Sequence, residues 1–96
     1  MNHAVTASRL ASLADAGRAP DLAHALDAAA AGCLYAVDTG NDGYDEVVVA
    51  DDEAAALAIV AEHVLSGGAL TERDVSALAA ARGWTCDRVV AIDEAL

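Results

Sequence analysis

The spacing of apolar residues changes along this chain, and each change marks an element. Between Ala4 and Ala16, Leu10, Leu13 and Ala14 recur at helical spacing, and Gly17 supplies a C-terminal stop. Pro20 stands where a second helix can begin, because its missing N–H would go unsatisfied there in any case. That helix places Leu22, Leu26, Ala29 and Ala30 on one stripe and ends at Gly32. The short Gly-Arg-Ala-Pro turn between the two predicts an antiparallel pair.

The period then shortens. Cys33, Tyr35 and Val37 alternate with Leu34, Ala36 and Asp38, and the run from Tyr44 to Ala50 contains Val47, Val48 and Val49. Between them lies Asp-Thr-Gly-Asn-Asp-Gly, residues that tolerate positive φ, so the pattern predicts a β-hairpin. Asp51, Asp52 and Glu53 follow as cap and first-turn acids of a third helix reaching about Ser66, with Leu57, Val60, Ala61, Val64 and Leu65 on its buried face. A fourth helix starts at Thr71, with Asp74 completing a capping box and Leu70 and Val75 in the positions of a hydrophobic staple. Val75, Leu78 and Ala79 form its stripe and Gly83 closes it. The tail from Trp84 reads two ways. As a helix it presents Val89, Ile92 and Leu96 on one face; as a strand it presents Trp84, Cys86, Val90 and Ile92. The helix is the preferred reading. The predicted fold is a mostly helical α+β domain over residues 1–96, with four to five helices, one hairpin and a C-terminal helix pair.

Composition limits the core this pattern can build. Of the 96 residues 56% are hydrophobic, but 26 are Ala and only 22 are Val, Leu or Ile, with Trp84, Tyr35 and Tyr44 the only aromatics. Ala favours helix and buries little area, so closely approaching helices and a small core follow, with a homodimer as one means of added stability. No run of ~18 apolar residues offers a membrane span. The N-terminus lacks the basic and uninterrupted apolar regions of a signal peptide. Cys33 and Cys86 make no disulfide framework, and a cytoplasmic location is expected.

Charge adds the strongest signal. The net charge is −11, and every cation is Arg. Eight acids and no cation fall within residues 38–62, whereas the segments on either side are close to balance. A chain so acidic repels nucleic acid and anionic lipid and attracts basic proteins.

Three kinds of chemistry could use these acids. A calcium loop beginning at Asp38 places Asp42 and Gly43 correctly, but Gly40 has no side-chain oxygen at the third position and Val49 replaces the bidentate Glu at the twelfth. A catalytic carboxylate pair needs two acids fixed in one pocket, and Asp45 and Glu46, adjacent on a strand, point to opposite faces. His3, His24 and His63 have no metal-ligand spacing with one another or with the two cysteines. No cofactor, metal or catalytic residue is expected.

Residues 74–96, DVSALAAARGWTCDRVVAIDEAL, resemble a helix-turn-helix. Ala79 lies four residues before Gly83, Trp84 follows the turn, and Val89 and Ile92 take the inward positions of a second helix. Arg82 departs from the pattern by standing where such motifs place an apolar residue. The would-be recognition helix carries Asp87, Asp93 and Glu94 against Arg88, so it lacks the cations that phosphate contacts require. The resemblance therefore implies a packing or protein-binding helix pair.

The remaining reading treats the acids as a surface. Such a surface is either a solvated face that keeps the protein soluble or a docking face, for carboxylates held on rigid elements can imitate a row of phosphates and occupy a basic groove. The expectation is a non-catalytic inhibitory protein that docks on a basic, nucleic-acid-holding protein through Asp38, Asp42, Asp45, Glu46, Asp51, Asp52 and Glu53. Its profile resembles that of small acidic phage-type inhibitors of host defence, anti-CRISPR proteins among them. The competing expectation is a small regulatory protein whose C-terminal helix pair makes the protein contacts.

Overall fold

A computed structural model describes residues 2–39, 45–65 and 72–93. The chain order is β1 (Asn2–Thr6), α1 (Ala7–Asp15), α2 (Leu22–Ala30), β2 (Leu34–Asp38), β3 (Asp45–Val49), α3 (Glu53–Leu65), α4 (Glu72–Arg82) and β4 (Thr85–Asp93). The strands form one sheet in the order β1-β4-β2-β3. β2 runs antiparallel to both neighbours, and β1 runs parallel to β4. The expected hairpin is present, but it is half of a larger sheet.

Two apolar layers sandwich that sheet, and strand alternation, shifted once where β1 pairs with β4, assigns residues to them. Leu34 and Val47 pack with Val5, Val89 and the Leu10, Leu13, Ala25 and Ala28 side chains of α1 and α2. Tyr35, Val37 and Val48 pack on the other face with Ala56, Val60 and Ala61 of α3 and Val75 and Ala79 of α4. β2 is thus apolar on both faces because helices cover both. Trp84 closes the α3/α4 layer; its indole N–H is buried and has no hydrogen-bond partner among the described residues.

Local signals place the helix ends. Thr6 caps α1 by accepting from the Arg9 amide at 3.1 Å, Asp21 caps α2 by accepting from the His24 amide at 2.9 Å, and Asp52 caps α3 by accepting from the Ala55 amide at 2.8 Å. At the far ends the chain turns through left-handed glycines. Gly83, at φ +72°, donates to the Ala80 carbonyl while the Trp84 amide donates to that of Ala79 at 2.9 Å, the paired bonds of a Schellman motif. Gly32 ends α2 in the same way. The capping box expected at Thr71, with its Leu70 staple, lies outside the described residues.

Three expectations need correction. The first helix begins at Ala7, since residues 2–6 are strand β1. The tail is strand β4, so no second helix follows Gly83 and the helix-turn-helix reading fails. β-branched Val89, Val90 and Ile92 suit a strand, and pairing with both β1 and β2 decides the matter. Third, α2 buries Ala25 and Ala28 and leaves Leu22 and Leu26 at 39% and 38% exposure. Small side chains on its inner stripe let the helix approach the sheet closely. Among the described residues no helix is long and apolar enough to cross a membrane.

Candidate functional site

The sheet is curled. In a flat sheet β1 and β3 would lie about 14 Å apart, three strand spacings. Here Val5 of β1 and Val47 of β3 line the same cavity of about 170 Å³ on the α1 side of the sheet. Arg9 and Leu13 of α1 complete its wall, and Ala36 of β2 lies in its floor. Besides Arg9, the polar lining comes from three strands: Asp38, Asp45, Glu46, Thr85 and Asp87. Register explains their meeting, because Asp38 pairs with Asp45 on one side and with Thr85 on the other, while Asp87 pairs with Ala36. The result is a cleft with an apolar floor and a carboxylate rim. Arg9 forms a salt bridge with Asp45 across it.

The acids expected to share one surface separate into distinct places. Asp38 is exposed and Asp45 half-buried at the turn end of the hairpin. Glu46 is a correction to the expected contact set. It faces the α3 layer, is only 2% exposed, and lies 2.5 Å from Nδ1 of His63 through its Oε1 atom. A buried carboxylate engaged inside the fold is withheld from an outside partner. Asp51, Asp52 and Glu53 are exposed, but they follow Ala50, whose amide donates to the Cys33 carbonyl at the open end of the hairpin. The length of β3, about 13 Å, separates that end from Asp45. Asp42 lies outside the described residues.

Arg9, Thr85 and Asp87 join the site without having been expected there. The β-branched run after Cys86 was their only signal, since a strand from Thr85 puts Thr85 and Asp87 on one face. Electrostatics mark the neighbourhood of β4 as well. Burial pushes the Cys86 thiol up to about 11, with the Glu53 and Asp87 carboxylates adding to the effect. At the start of α2, hydrogen bonds from the His24 amide and ring hold the Asp21 carboxyl below its ordinary value. Among the described residues no three His, Cys, Asp or Glu side chains come together in a metal-holding group.

Fold and site together define a small α+β protein whose curled sheet carries an acidic cleft on the α1 side. Compared with known proteins, the chain matches no protein-family model, no curated protein and no solved structure.

Proposed function

We infer that this is a non-catalytic binding protein that presents its carboxylate-rimmed cleft, with the exposed acids around it, to a basic protein surface. One observation carries the reading. Strand register brings Asp38, Asp45 and Asp87 around a single cavity with Arg9, in a chain of net charge −11. A surface that otherwise holds nucleic acid is the natural target, because it offers cations spaced to meet arrayed anions. Inhibition would then follow from occupying that surface, in the manner of a nucleic-acid mimic of the anti-defence kind. Asp51, Asp52 and Glu53 extend the negative field from the open end of the hairpin, and Glu46 takes no part. The regulatory alternative relied on a C-terminal helix pair for its protein contacts, and β4 replaces the second helix.

A displacement assay tests this. A labelled 20-base-pair DNA duplex is bound to a basic nucleic-acid-binding protein, and the acidic protein is titrated in at 50 and 300 mM NaCl. The expected result is release of the duplex at low salt, weakening at least tenfold at high salt. Failure to release DNA from any member of a panel of such proteins contradicts the reading.

A further inference from the structure

The two edges of the sheet are finished differently. On β3 the chain itself covers the middle of the outer edge, since the Val47 amide donates to the Arg18 carbonyl at 2.9 Å. On β1 no strand or loop backbone pairs with the outer edge among the described residues. Its sequence, NHAVT, holds none of the proline or Lys, Arg, Asp or Glu residues that guard exposed edges. β1 also runs along the cleft, which it lines through Val5. An open backbone edge and a cavity rimmed by Asp38, Asp45 and Asp87 therefore adjoin.

We propose that the open edge of β1 takes up an extended segment of the basic partner as an added strand, with Arg or Lys side chains of that segment entering the cleft. This rests on the acidic-surface reading above and names the part of the partner that binds. Main-chain bonds to β1 supply register, and alternate side chains about 7 Å apart reach the rim carboxylates. The Arg9–Asp45 salt bridge exemplifies the contact an incoming guanidinium would make. Charge selects the occupant: a second copy would bring another −11, whereas a basic segment is complementary.

The test uses the full chain, labelled with nitrogen-15, and the blocked peptide Arg-Val-Arg-Val-Arg-Val-Arg. A second peptide has the same sequence with every backbone nitrogen methylated, which keeps the charge and removes the strand donors. The expected result is shifted and exchange-protected amides across residues 2–6, at least tenfold weaker binding of the methylated peptide, and at least tenfold weaker binding to the Asp45→Asn/Asp87→Asn variant. If the methylated peptide binds within twofold of the first, strand addition is wrong while the acidic-surface reading stands. If the variant binds the unmethylated peptide as well as the natural chain does, a basic occupant is wrong and the acidic-surface reading falls with it. No binding of either peptide at millimolar concentration overturns the proposal.

Discussion

Asp45 and Glu46 are consecutive on β3, yet the sheet sends them into different environments. Asp45 faces the α1 side, where its side chain is 33% exposed at the cleft rim and meets Arg9. Glu46 faces the α3 side, where its side chain is 3% exposed and meets His63. The first pair is partly exposed and screened by solvent. The second holds two layers of the fold together, because a buried carboxylate that loses its donor bears most of its desolvation cost. A run of acids in sequence is therefore not a surface; strand alternation divides it into an exposed part and a buried, structural part.

This contrast is open to direct attack. The largest expected effect is that of His63→Ala, which should lower the unfolding free energy by about 1–3 kcal/mol by removing one donor from the buried Glu46 carboxylate. Urea denaturation measures it, and an unchanged midpoint would place Glu46 outside the structural set. Arg9→Ala should cost much less, about 0–1 kcal/mol, as for other exposed ion pairs. If the two variants were equally destabilised, the division between the faces would be lost.

A smaller effect separates the layers by pH. The Cys86 thiol belongs to the α3/α4 face and its pKa is raised from an ordinary value of 9.0 to about 11. A raised pKa means that the folded state favours the protonated thiol. The associated stability is complete below pH 9 and is lost as the pH rises toward 11. In a Cys33→Ser background, disulfide exchange with an aromatic disulfide reagent should show a thiolate midpoint near 11. A midpoint near 9 would mean that Cys86 is not shielded.

Much of the architecture could be read from local chemistry. Gly17, Gly32 and Gly83 end their helices as expected, each in the left-handed conformation that favours glycine. The hairpin followed from alternation on both sides of a Gly- and Asp-rich turn. What escaped was non-local. β1 is five residues long and its partner β4 lies more than 80 residues away, so nothing near Val5 announces the pairing. Without β1 the tail lost its reason to be extended, and Thr85 and Asp87 lost their common face. The site was legible to the same extent: Asp38 and Asp45 came from the hairpin, whereas Arg9, Thr85 and Asp87 required the sheet. Leu22 and Leu26 misled for another reason. Bulk marks the inner face of an isolated helix, but close approach to a sheet selects Ala25 and Ala28.

The central claim is that position, beyond total charge, makes the acids around the cleft the binding surface. Two triple variants with equal net charge test it. One is Asp38→Asn/Asp45→Asn/Asp87→Asn at the cleft, and the other is Asp15→Asn/Asp27→Asn/Glu62→Gln on exposed helical positions. Titration of each against poly-arginine at 100 mM NaCl measures the difference. The cleft variant should bind at least tenfold more weakly than the natural chain, and the helical one less than threefold. Equal losses in both would show that net charge alone accounts for binding, and would contradict the central claim.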